Sequence, residues 1–155
     1  MKSSHPAPPR HRIALSWDEV RRDCVELARL LAGRGPWRGI VAVTRGGLAP
    51  AALVARALGV RLIETVAIAS YDGQILGEPM VLKPPSAAGD GAGWLVIDDL
   101  VDSGATIRIV RTILPTARVA VLYAKPQGQA LADVFVRSFP QECWLDFPWE
   151  MPLPA

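Results

Sequence analysis

The sequence predicts a single α/β domain built on a mainly parallel central sheet, and three observations carry that expectation. Three apolar runs, Ile40-Val41-Ala42-Val43, Trp94-Leu95-Val96-Ile97 and Val119-Ala120-Val121-Leu122-Tyr123-Ala124, have the length and β-branched content of buried strands. The first two run into turns of small and charged residues and then into helical patterns, the strand-turn-helix order that builds a parallel sheet. The chain has 155 residues, 50% of them apolar and 21% charged. That fits one domain able to bury roughly two-thirds of its unfolded surface.

Composition excludes several classes. A net charge of +2 is too weak to suggest nucleic acid, and no basic stripe occurs. Cys24 and Cys143 lie far apart without metal-ligand spacing, so they read as free thiols in a reducing cytosol. No apolar run approaches the roughly 18 residues that span a bilayer. Met1 to Arg12 carries Pro, His and basic residues but no apolar signal core, and reads as a disordered tail before a domain over 13–155.

Taken in order, the domain opens on a helix. Ser16 with Glu19 makes a capping box, and Leu15 with Val20 can close a hydrophobic staple. Val20, Cys24, Leu27, Ala28 and Leu31 share one helical face, and Gly33 and Gly35 end it. The strand Ile40–Val43 follows, then Thr44-Arg45-Gly46-Gly47, and a helix with Pro50 in its first turn that stops at Gly59. Adjacent glycines let backbone approach a ligand closely, and Arg45 adds a fixed positive charge, although a plain βα turn would look similar. Val60 to Ala69 reads as a strand. From Ser70-Tyr71-Asp72 a polar excursion with Gly73, Gly77 and Pro79 leads to a returning strand, Met80–Lys83. Such a loop is often an active-site lid, and an ordinary hairpin is the bland alternative. Pro84 to Gly93 is turn-rich.

The centre of the chain is Val96-Ile97-Asp98-Asp99-Leu100-Val101-Asp102-Ser103-Gly104-Ala105-Thr106. Two carboxylates stand where a buried strand should end, and small residues then feed a helix running from Ile107 to Leu114. Ligands of open α/β sheets bind outside the carboxyl ends of the strands. A small-residue turn at a helix N-terminus offers free N–H groups to a phosphate, and carboxylates beside it can face sugar hydroxyls or Mg²⁺. The chemistry implied is a phosphorylated sugar with a metal. Val119–Ala124 then delivers Lys125-Pro126 to the same edge. The tail carries Phe139, Trp144, Phe147 and Trp149 among prolines, and reads mostly as hydrophobic lid or subunit contact.

The central stretch resembles the 5-phosphoribosyl 1-pyrophosphate (PRPP) motif of type I phosphoribosyltransferases. Ser16-Trp17-Asp18, Thr44-Arg45-Gly46-Gly47-Leu48, Ser70-Tyr71-Asp72, Ala124-Lys125-Pro126 and Trp144-Leu145-Asp146-Phe147-Pro148-Trp149 are similar to the purine branch of that family, in the same order. The resemblance implies the type I phosphoribosyltransferase fold with a small C-terminal hood. It implies phosphoribosyl transfer from PRPP to guanine or xanthine, more weakly to hypoxanthine, with Mg²⁺ as cofactor. Arg45 and Gly46 would hold the pyrophosphate, Asp98 and Asp99 the ribose hydroxyls and the metal, with Asp99 the metal ligand. Asp102, Ser103, Gly104, Ala105 and Thr106 would hold the 5′-phosphate. Lys125 would donate to the oxygen at purine C6, Trp144 stack on the base, and the Leu145 backbone read C2. Asp102 would serve N7 as acid or base, and Ser70 and Tyr71 would belong to the lid. A cytoplasmic homotetramer, peripheral at most to the inner membrane face, rests on the resemblance too.

The chain departs from the enteric members in Ser103, Ala105 and Leu145, which replace Thr, Gly and Ile, and in the lid stretch Gln74–Glu78. A hypoxanthine-preferring transferase is the alternative within the family. A PRPP-sensing regulator would call for a basic or DNA-binding segment that the chain does not carry. A receiver-type signalling domain has no use for the Ser-Gly-Ala-Thr cradle.

Overall fold

The computed structural model of the protein describes residues 11–69 and 79–153. Helix α1 (Trp17–Leu31) starts as its sequence dictates: Ser16 Oγ accepts the Glu19 N–H and Glu19 reaches back to the Ser16 N–H. Leu15 and Val20 are both buried beside this cap, in keeping with a staple. Strand β2 (Gly39–Thr44) leads into α2 (Leu48–Leu58), which ends on Gly59 in the left-handed region at φ +69°. Strand β3 (Ile63–Ala69) and β4 (Met80–Lys83) form an antiparallel pair. Then come β5 (Trp94–Val101), α3 (Ala105–Ile113) and β6 (Arg118–Ala124).

These strands, with β7 (Val134–Ser138), form a six-stranded sheet in the order β4-β3-β2-β5-β6-β7, parallel except for β4 at one edge. Strand alternation sends successive side chains to opposite faces. Leu95 and Ile97 of β5 join the core under α1 and α2, while Trp94 and Val96 join the core under α3. The sequence order reverses direction between β2 and β5, neighbours in the sheet whose following helices cover opposite faces. A crevice opens at such a point, outside the carboxyl ends of the two strands. The turns after β2 and β5 therefore meet there.

The structure corrects two expectations and adds a strand. His11 and Arg12 are not tail: they begin β1 (His11–Ala14), which pairs in parallel with β8 (Cys143–Asp146), His11 opposite Cys143 and Ala14 opposite Asp146. Four residues with one half-buried Ile13 give little pattern, and their partner lies far away in the chain. Strand β7 escaped the sequence reading because it is a short, half-buried edge strand. The acidic pair does not end β5. Pairing with β6 continues to Val101, opposite Ala124. Of the tail aromatics, Phe139 meets Tyr123 edge-on at 5.5 Å and Phe147 stacks on Trp149 at 4.8 Å, while Trp144 stays half exposed. Phe147 is buried in the α1–α2 core, so the hood formed by β1, β8 and the last turn is an extension of that core.

Candidate active site

Asp102 to Thr106 join β5 to α3. Gly104 has φ +88°, a conformation costly for other residues. A Cβ there would also collide with the Leu131 side chain. The first intrahelical bond runs from Arg108 N–H to the Gly104 carbonyl, which leaves the amides of the opening turn without helical partners. They sit at the positive end of α3, around a hollow of about 110 Å³ lined by Leu100 to Ile107. The loop is shaped for an anion.

Asp98 and Asp99 lie one strand-width from the turn after β2. Asp98 is only 7% exposed and accepts the Asp99 N–H at 2.9 Å. Burial pushes the Asp98 carboxyl well up, and the neighbouring Asp99 charge pushes it further. Burial likewise raises Asp99, to about 6. Among the described residues no ion pair engages either acid. A Cβ on Gly46 would collide with the Asp99 carboxylate, and one on Gly47 would stand 2.5 Å from the Ile97 carbonyl. The glycine pair thus serves close packing of the β2 turn on β5, a reason the sequence reading did not supply. Arg45, Gly46, Leu48, Ala49, Asp99, Trp149 and Glu150 line a hollow of about 630 Å³.

This pair fits a hard divalent cation in its donor type, buried oxygens without a protein counter-charge. The described residues contain no cluster of three or more metal-ligating side chains. A Mg²⁺ here would take the rest of its shell from substrate oxygens and water, as it commonly does with one or two carboxylates.

Beyond β6, the Lys125 ammonium is 3% exposed and donates to Asp102 Oδ2 at 3.0 Å. Its backbone N–H bonds the Val101 carbonyl, locking the end of β6 to the end of β5. Gln141 Nε2 donates to Asp102 Oδ1 at 2.6 Å. Asp98, Asp99, Asp102, Thr106, Lys125, Trp144, Leu145, Phe147 and Glu150 all line one hollow of about 270 Å³. Trp144 is half exposed, and the Arg12 guanidinium lies 5.8 Å from its ring centroid while pairing with Asp146. Leu145 is buried beneath.

Every sequence-predicted site residue in the described range is therefore found at one sheet edge. Arg45 and Gly46 face one hollow with Asp99, Ser103 to Thr106 shape the next, and Lys125, Trp144 and Leu145 join the acids in the third. Ser70 and Tyr71 lie outside the described residues. Sequence reasoning missed Arg12, Gln141 and Glu150, which stand in no motif and reach the site only through the β1–β8 pairing and the turns around it. A larger, open cleft of about 770 Å³ lies at the opposite edge, between the ends of α1 and α2. No carboxylate lines it, and it faces the amino ends of the strands.

Residues 16–155 match the family model described as phosphoribosyl transferase domain, so the chain belongs to the phosphoribosyltransferases. Within that class it is similar to the xanthine-guanine phosphoribosyltransferase of Gluconobacter oxydans (strain 621H), 52% identical over 90% of this chain and 85% of the relative. The protein of the same name from Cereibacter sphaeroides is 46% identical over 90% and 87%. Among solved structures, the purine phosphoribosyltransferase of Pyrococcus horikoshii Ot3 superposes with a TM-score of 0.78 at 29% identity, covering 93% of this chain and 97% of that one. The Helicobacter pylori xanthine-guanine-hypoxanthine phosphoribosyltransferase gives 0.74 at 25% identity, covering 90% and 94%.

Proposed function

We propose that the protein is a purine-salvage enzyme transferring the 5-phosphoribosyl group of PRPP to guanine or xanthine, and more weakly to hypoxanthine. One observation carries the choice of base: a buried lysine and a carboxylate, Lys125 and Asp102, line the same hollow as the acidic pair. A 6-oxopurine presents an acceptor at C6 beside N7, which suits an ammonium beside a carboxylate.

In the reaction a purine nitrogen attacks ribose C1 and pyrophosphate leaves, through an oxocarbenium-like state. The chain does no covalent work; it positions two ligands and excludes water. The Asp102–Thr106 loop takes the 5′-phosphate on its amides. Asp98 and Asp99 face the ribose hydroxyls, Asp99 would also hold Mg²⁺, and the Arg45-Gly46 turn takes the leaving pyrophosphate. Mg²⁺, when bound, neutralises charge on that leaving group. Lys125 donates to the oxygen at C6, Trp144 covers the ring, and the Leu145 backbone reads C2. Asp102 accepts or returns the proton at N7, a task worth roughly 10²–10⁴-fold in rate. Ser70 and Tyr71 belong to the lid in this reading. A cytoplasmic location, a homotetramer and loose contact with the inner membrane face complete it, all three resting on family resemblance. No helix among the described residues is long and apolar enough to cross a membrane.

Lys125→Met tests the base site. An adenine amino group offers no acceptor to the buried ammonium, and a buried donor left unsatisfied costs on the order of 1–3 kcal/mol. The variant should lose kcat/KM on oxopurines and narrow their lead over adenine, while the KM for PRPP changes little. Retention of full oxopurine selectivity would remove Lys125 from the base site.

A further inference from the structure

We infer that Gln141 is a positioning residue of this site, whose side-chain amide holds the Asp102 carboxylate in the orientation that faces the purine. The inference rests on the role given above to Asp102. Gln141 Nε2 donates to Asp102 Oδ1 at 2.6 Å, and Gln141 Oε1 accepts the backbone N–H of Gln127 at 3.0 Å. The two contacts fix each other. A backbone N–H can only donate, so the amide oxygen must face Gln127 and the NH₂ group must face the carboxylate.

Asp102 needs such a holder. Its side chain is 48% exposed, on a loop between β5 and α3. Its other oxygen is bonded to Lys125 at 3.0 Å. When a base enters and the ammonium turns to the oxygen at C6, that second bond weakens, and Gln141 is the group left to keep the carboxylate aimed. The same amide also ties down the turn that carries Lys125, two residues before Gln127. The Lys125 carbonyl accepts the N–H groups of Gly128 and Gln129, so the turn is closed on itself. One neutral side chain therefore clasps the turn after β5, the turn after β6 and the turn before β8. It lies outside the residues that line the base hollow.

A purely structural clasp and a positioning role make different demands, and two variants separate them. Q141E keeps an acceptor for the Gln127 N–H but turns a second acceptor on Asp102. Q141L removes both contacts. Initial rates with guanine and PRPP, and thermal midpoints, are measured for both beside D102N. Positioning predicts that Q141E and Q141L each lower kcat about tenfold or more, with the KM for PRPP changed less than twofold. Wild-type kinetics in Q141E would overturn the inference, as would a loss confined to the KM for PRPP. Should Q141L unfold below the assay temperature, Q141E alone decides. If D102N is impaired while Q141E is not, only the role of Gln141 falls. If D102N behaves as wild type, the reading of Asp102 falls first and takes the inference with it.

Discussion

At Asp99 the role proposed above and stability pull in opposite directions. Its carboxyl is pushed up to about 6, chiefly by burial, against about 3.9 in an unfolded chain. The folded state thus binds this proton more tightly than the unfolded state. Stability from this group is complete below about pH 4 and is lost as pH rises through about 6. Proton affinities that differ this much between folded and unfolded chain correspond to about 2–3 kcal/mol. Asp99→Asn cannot ionise, so in the absence of divalent cation it should melt above the wild type at pH 7.5 and with it at pH 4. The same variant should use PRPP poorly and respond weakly to Mg²⁺. Equal midpoints at pH 7.5 would mean that the buried charge is not penalised. The residues behind this prediction were legible in the sequence as an acidic pair in a motif. Their burial was not, because it depends on β5 continuing past them and on Gly46 packing against Asp99.

Among elements, the join of α1 to the far side of the sheet depends on one buried network. Tyr123 of β6 is fully buried and donates to Asp23 of α1 at 2.6 Å. The Arg137 guanidinium of β7 pairs with the same carboxylate at 2.8 Å and lies over the Tyr123 and Phe139 rings. Tyr123→Phe keeps the packing and removes a hydrogen bond to a charged group, for a predicted loss of about 1.5–3 kcal/mol in chemical denaturation. Base selectivity should stay unchanged. An unchanged denaturation midpoint would show that Arg137 alone satisfies Asp23. Helices and central strands were readable locally: the Ser16–Glu19 capping box, the Gly59 stop and the apolar runs each carry their own signal. Strand β7 is a short, half-buried edge strand beside β6. Strands β1 and β8 are short and held by each other across most of the chain, and no local pattern announces such a pairing. Gln141 was hidden for the same reason. It gains meaning only once β8 and the turn before it are set against Asp102.

At the scale of the whole molecule, the topology does the assembling. Reversal of strand order between β2 and β5 brings two strand-turn-helix units to one crevice, with the β6 end beside them and the β1–β8 hood above. The Arg45–Gly47 turn, the Asp98–Thr106 stretch and Lys125 come from three separate segments of the chain. Each arrives at the same edge because the sheet is parallel. A site that hydrogen-bonds a substrate group can reject an analogue lacking it by about 10⁴-fold. The direct measurement is initial rates for the wild-type protein with PRPP and Mg²⁺ on guanine, xanthine, hypoxanthine and adenine, followed by absorbance. The account predicts turnover of guanine and xanthine, weaker turnover of hypoxanthine, and adenine essentially unused. Efficient use of adenine, or no PRPP-dependent turnover of any base, would contradict it.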